Sequence, residues 1–233
     1  MYEGNPFLSD ALKTNHAKSW QQVSQAGDFW DAAQRVAIVA EARSSLHCEL
    51  CSTRKQALSP FGVTGEHTRQ STSSELSDVA IDCIHRIRTD PGRLTREWFD
   101  TVIASGMSKQ AYTELVSVLA SSVIIDTLHS SVGLEVPALY PPEPGDCANE
   151  FNTDTVDEGG WLPMLAAPRD IASHGLPQVP NIARALGLVP SALALFFQTF
   201  RPHYALQDIS LSISQAQAEF VASRVSAINE CFY

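Results

Sequence analysis

Leu46-His47-Cys48-Glu49-Leu50-Cys51-Ser52-Thr53-Arg54-Lys55 places two thiols three residues apart, with a histidine before them and two cations after. Upstream, Arg35 to Arg43 reads as a helix, with Val36, Ala37, Val39 and Ala40 at helical spacing. Ser44-Ser45 then supplies a break and a cap for a further helix, so the thiols are expected near a helix start. Unpaired backbone N–H groups and the positive end of the helix dipole favour thiolate over thiol there. His47 when charged, Arg54 and Lys55 act in the same direction, and one helical turn brings the sulfurs within disulfide reach. The pattern points to a redox dithiol. Two other readings stand beside it. Cys-x-x-Cys is half of many zinc sites, although a structural zinc needs four ligands and usually a second close pair. Cys83, Cys147 and Cys231 are scattered singly. Alternatively, both cysteines are inert and half-buried.

Composition narrows the field. The chain has 233 residues, 44% of them hydrophobic and 18% charged, enough for one large or two small domains with a real core. Its net charge of −10 and the lack of a basic run argue against nucleic acid and anionic membrane surfaces as partners. No apolar stretch is expected to reach the ~18–20 residues that span a bilayer. Met1-Tyr2-Glu3-Gly4-Asn5-Pro6 lacks the form of a signal peptide. Five cysteines, an odd number, do not resemble a secreted disulfide framework, so a reducing cytoplasm is expected.

Along the chain the pattern is helical. Residues 1–28 are mixed and polar, ending in Ala26-Gly27-Asp28, a turn with Asp28 as a helix cap. The dithiol helix should stop near Pro60-Phe61-Gly62, followed by a polar loop over 63–73. Residues 74–88 carry an apolar stripe of Leu76, Val79, Ala80, Cys83, Ile84 and Ile87. Thr95 caps a helix ended by Gly106, and Ser108 caps the longest one, about 109–131, stopped by Gly133. Proline-rich 137–160 reads as a linker or an ordered excursion. Helices follow over 181–186, 190–203 and 214–230. No segment alternates convincingly at period two, so the expected fold is all-α.

The last helix repeats the first motif. Glu219 to Tyr233 lines up with Val36 to Leu50 at a constant offset of 183, placing Cys231 on Cys48 and Ala216-Gln217 on Ala33-Gln34. Glu219 and Cys231, with the sequence Val-Ser-Ala-Ile-Asn-Glu-Cys-Phe-Tyr, resemble the motif helix of the alkyl hydroperoxidase D branch of the carboxymuconolactone decarboxylase superfamily. That motif is a glutamate, eleven residues, a cysteine, two residues, a second cysteine, three residues and a histidine. The first copy has both cysteines, with Val36 at the glutamate position and Lys55 at the histidine position. The stretch from Leu94 through Gly106-Met107-Ser108 to Tyr112-Thr113-Glu114-Leu115-Val116 resembles the helices that pack over the family dithiol. The resemblance implies an internally duplicated alkyl hydroperoxidase D-like helical fold: a first repeat over 1–145, then a linker and a second repeat, cut off mid-motif, over 146–233.

It also implies chemistry: hydroperoxide reduction without cofactor or metal, Cys51 attacking the O–O bond and Cys48 resolving the sulfenic acid to a disulfide. The partners would be a hydroperoxide and a dithiol reductant, and the protein a homo-oligomer, most simply a dimer. With the family glutamate and histidine replaced, the candidate bases are Glu114, His85 and His129. Glu114, an acid among Tyr112, Leu115, Val116, Val118 and Leu119, is the preferred one. Its structural alternative is an ion pair with an arginine, and His85 is otherwise a core or surface histidine. Positions 114, 118, 122, 125 and 129 share a face, but fifteen residues of helix separate Glu114 from His129 by about 22 Å. His16, His67, His174 and His203 show no supporting pattern. Glu219 and Cys231 form a motif remnant expected to be inactive. A redox-inactive binding or oligomer-forming member of the superfamily is the competing reading, and a lactone decarboxylase-type lyase a third, which the dithiol disfavours.

Overall fold

The computed structural model describes residues 1–2, 4–72, 75–166, 180–203 and 212–228. Within them the chain is mostly helical, as its pattern implies. Side-chain caps set five of the helix starts. Ser9 opens α1 (Asp10–Val23), Asp31 opens α2 (Ala32–Ser44) and Ser77 opens α4 (Asp78–Thr89). Thr95 opens α5 (Arg96–Ala104) and Ser108 opens α6 (Lys109–Ser131). Each cap oxygen accepts from the backbone N–H three residues on, satisfying one of the helix's unpaired donors. Gly133, at φ +75°, ends α6 in the left-handed conformation, and the Leu134 N–H returns to the His129 carbonyl.

α6 is the axis of the molecule. Packed around it are α1, α2, α4 and, most closely, α8 (Pro190–Phe200). The core joins Ile38 and Val39 of α2, Ile81 and Ile84 of α4 and Phe99 of α5 to Leu115, Val118 and Ile125 of α6. Leu195 of α8 closes it. Enclosing the aliphatic side chains of α6 contributes about 1.5–3 kcal/mol apiece. Because α8 packs on α6 and α1, residues beyond 146 complete the same core that the earlier helices begin.

Several local expectations need correction. Residues 10–23, read as polar chain, form α1. It buries Leu12, Trp20 and Val23 but also His16 and Ser19, and those polar members obscure its apolar face. The cap of α2 is Asp31, three residues past Asp28. Asp28 instead holds two other segments, accepting from the Ser191 hydroxyl and the Glu150 N–H. Of the two readings of the proline-rich stretch, the ordered excursion is the one found: Trp20 donates to the Ala138 carbonyl, and the Glu143, Ala148 and Asn149 N–H groups bond to residues 24–28. It leads to a two-residue antiparallel pair, β1 (Thr155–Val156) with β2 (Met164–Leu165), too short for any periodicity to announce. α6 is, among the described residues, long and apolar enough to cross a membrane, contrary to the expectation. More than half of its most apolar window is buried against the other helices.

After a short α7 (Asn181–Leu186) and α8, α9 (Gln215–Ile228) covers the stretch whose sequence lines up with α2. Shifted back by 183, its start falls on Ala32, the first residue of α2. The two helices differ in setting. α2 is largely buried, whereas α9 buries Ala218 and leaves Phe220, Val221, Val225 and Ile228 exposed.

Candidate active site

The chain leaves α2 through a single 3-10 turn, Ser45–His47, and Cys48 adopts an extended backbone that starts α3 (Glu49–Gln56). The expected break at Ser44-Ser45 is present, but Cys48 itself is the N-cap of α3. Cys51 follows at the third position of that helix. Both thiols are buried, at 2% and 3% exposure, and are free rather than bridged. Leu50 and Val63 pack beside them. Cys51 also borders a crevice of about 10 Å³, room for one water-sized molecule, whose walls include Arg54, Arg86 and Arg93. A wider groove, about 750 Å³, runs alongside between Arg54, Phe61, Asp82, Arg86 and Trp98.

Two histidines face the sulfurs. His85, fully buried on α4, sets Nδ1 3.3 Å from Cys51 Sγ. Its Nε2 lies 3.1 Å from Glu41 Oε2, on the last turns of α2. A carboxylate can only accept, so His85 carries its proton on Nε2 and turns the Nδ1 lone pair toward Cys51. Glu41 Oε1 meanwhile accepts from the Gln70 and Ser71 N–H groups and the Ser71 hydroxyl. Burial alone would raise the Glu41 pKa, but these donors and His85 hold it below the usual carboxylate range. Burial pushes His85 down, against the pull of Glu41, so the imidazole rests neutral.

His67, in the loop between α3 and α4, places Nδ1 3.7 Å from Cys48 Sγ and 3.6 Å from Cys51 Sγ. On its far side Nε2 lies 3.0 Å from Asp82 Oδ1 and 3.1 Å from Arg54 Nη1. Donating to Asp82 leaves a lone pair on Nδ1; accepting from Arg54 instead puts the proton on Nδ1, facing the sulfurs. Asp82 also binds Arg54, Arg86 and the Trp98 indole. Burial opposes its ionisation, yet His67 and these donors keep it well below the usual carboxylate range.

The two thiols are unequal. Burial works against ionising Cys48, but the backbone N–H groups of Cys51 and Thr68 and the His67 ring outweigh it and bring the thiol down to about 7. Cys51 is pushed up to about 12 by burial, then by its hydrogen bond to Cys48 and the charge there. Near neutral pH the pair therefore carries at most one negative charge, centred on Cys48, with the Cys51 proton beside it.

Of the candidates read from sequence, the structure gathers Cys48, Cys51 and His85. It places Glu114 elsewhere. Its carboxylate binds Arg35 Nη1 at 2.5 Å and accepts from the Asp28 and Phe29 N–H groups at 3.1 and 2.7 Å, which is the ion-pair alternative. His129 lies against the Tyr2 ring. Glu219 sits on an exposed turn of α9 with Gln215, while Cys231 and His174 fall outside the described residues.

Sequence reasoning missed Glu41 and His67. Glu41 had a signal: it is an acid inside the apolar run Val36 to Ala42. The position that the resemblance assigns to a glutamate is occupied by Val36, five residues earlier. His67 stands in a polar loop with no periodicity, and only the fold brings it to the thiols. Comparison with family models, curated proteins and solved structures finds no match to this chain.

Proposed function

We propose that Cys48 and Cys51 form a cofactor-free dithiol centre that reduces small hydroperoxides, with Glu41 and His85 supplying the proton relay. The line Glu41–His85–Cys51 carries this reading: a neutral base, oriented by a buried carboxylate, points at a thiol within reach of a second thiol. As a peroxide enters, His85 Nδ1 takes the Cys51 proton and the thiolate attacks the distal oxygen. The O–O bond breaks, Cys51 becomes a sulfenic acid, and the alkoxide leaves with the proton from His85. Cys48 then attacks the Cys51 sulfur, expelling water and closing the disulfide. An external dithiol restores both thiols. The narrow crevice at Cys51 favours a small peroxide.

The lowered pKa of Cys48 supports a second assignment, in which Cys48 attacks and Cys51, deprotonated by His85, resolves. Single-cysteine variants separate the two. Under the first, Cys48→Ser treated with hydrogen peroxide and a sulfenic-acid probe labels Cys51; under the second, Cys51→Ser labels Cys48. Labelling of neither, in variants that keep the parent's helical content, would refute the peroxidase reading and favour the redox-inactive one. The reading also belongs with the superfamily resemblance and a homo-oligomer, which light scattering at micromolar concentration tests.

A further inference from the structure

We infer that the reduced protein binds one tetrahedral zinc ion through Cys48 Sγ, Cys51 Sγ, His67 Nδ1 and His85 Nδ1. The four donor atoms lie within 4.8 Å of one another. At Zn–S near 2.3 Å and Zn–N near 2.05 Å, a tetrahedron has edges of about 3.6 Å between sulfur and nitrogen. Three of the four sulfur–nitrogen separations are 3.7, 3.6 and 3.3 Å, already close to that edge, and the remaining donor pairs lie within 4.8 Å.

The surroundings of the histidines point the same way. A zinc-bound imidazole presents one nitrogen to the metal and donates its other N–H to a carboxylate, which fixes the tautomer and strengthens the ligand. Both histidines have that arrangement: His85 backed by Glu41, His67 backed by Asp82. Peroxide chemistry requires one such base, and His85 already provides it. A second oriented imidazole, brought by the loop between α3 and α4, completes a ligand set rather than a relay. The Cys-x-x-Cys spacing lacks a second cysteine pair in the sequence because histidines from separate segments take that place.

Binding is balanced as Zn²⁺ displacing the Cys51 proton and the proton of whatever fraction of Cys48 is still a thiol, which gives a neutral centre of two thiolates and two neutral imidazoles. The ion and the Cys48–Cys51 disulfide exclude one another, since both use the same sulfur electrons. The site needs the reduced thiols but not their turnover, so it stands apart from the peroxidase reading.

Cobalt(II) is the probe. Titrated into the reduced, metal-stripped full chain without peroxide, it should bind once per chain and give the strong visible bands of tetrahedral cobalt with thiolate-to-cobalt charge transfer. Zinc should then bleach them. His67→Asn and His85→Asn should each weaken binding at least tenfold, and Asp82→Asn about 10–100-fold, with circular dichroism confirming that each variant is folded. Oxidised protein should give no such bands. A weak octahedral spectrum, or tetrahedral bands unchanged in folded His67→Asn, would overturn the assignment. A protein that turns over peroxide yet gives no tetrahedral spectrum refutes the metal site alone. One that gives the spectrum without turnover refutes the peroxidase reading alone.

Discussion

Replacing Glu114 by glutamine removes the charge that faces Arg35 in the core. The acid is fully buried and the arginine 5% exposed, so water cannot take over the lost interaction. Glutamine keeps one acceptor oxygen where the carboxylate serves Arg35 and two backbone N–H groups. Its amide also aims a donor at donors. Breaking a buried pair on one side costs about 3–5 kcal/mol. Against a typical stability of about 5–15 kcal/mol the variant should still fold, with its urea midpoint lower by about 1–2 M. Removing both charges, as Arg35→Met with Glu114→Gln, should recover part of the loss, because the uncompensated guanidinium is its main source. Alkylation rates of Cys48 and Cys51 in the folded variant should match the parent, since Glu114 is committed to Arg35 and the Asp28–Phe29 backbone. An unfolding free energy within about 0.5 kcal/mol of the parent's would refute the structural role. Loss of peroxide turnover at unchanged stability would restore Glu114 as the base.

Gly27→Ala strikes the same pair from the other side. A Cβ at Gly27 would overlap Glu114 Oε1 and Arg35 Nη1, so thermal unfolding should show a loss of about 3 kcal/mol or more that is non-additive with Glu114→Gln; additivity would contradict the shared cause. His16, fully buried between Tyr2, Thr199 and His203, is lowered to about 4 by burial first and then by His203 and His129, against the Thr199 carbonyl. Its stabilising contribution is complete above the unfolded value of ~6.5 and is lost as pH falls toward 4, by at most about 3 kcal/mol. Denaturation midpoints measured from pH 7 to 4 should fall less steeply in His16→Gln than in the parent, and an unchanged slope would count against the assignment.

How far the sequence reveals this molecule depends on the range of each signal. Ser108 and Gly133 bracket α6 through contacts within a few residues, and its limits are legible to the residue. α1 is not, because its buried face includes His16, which needs partners from the chain's far end, Thr199 and His203, to be accommodated. At the site, Cys48 and Cys51 are local and readable. His85 is a candidate in the sequence, but its partner Glu41 and the second imidazole, His67, are not: the three arrive from separate segments, and only the packing of α4 on α2 and the turn before Cys48 makes them neighbours. Glu114 shows the converse hazard. An acid in an apolar helix is anomalous in sequence, whether its partner is a substrate or, as here, an arginine.

The most direct test is the rate at which one equivalent of hydrogen peroxide converts the reduced, metal-stripped chain to a Cys48–Cys51 disulfide, followed by quenched peptide mass spectrometry. The account predicts that this disulfide is the first product and that Glu41→Gln, which leaves His85 unoriented, forms it about 10²–10⁴-fold more slowly. Cys48 and Cys51 remaining reduced while Cys83 or Cys147 oxidises, or equal rates in parent and Glu41→Gln, would contradict it.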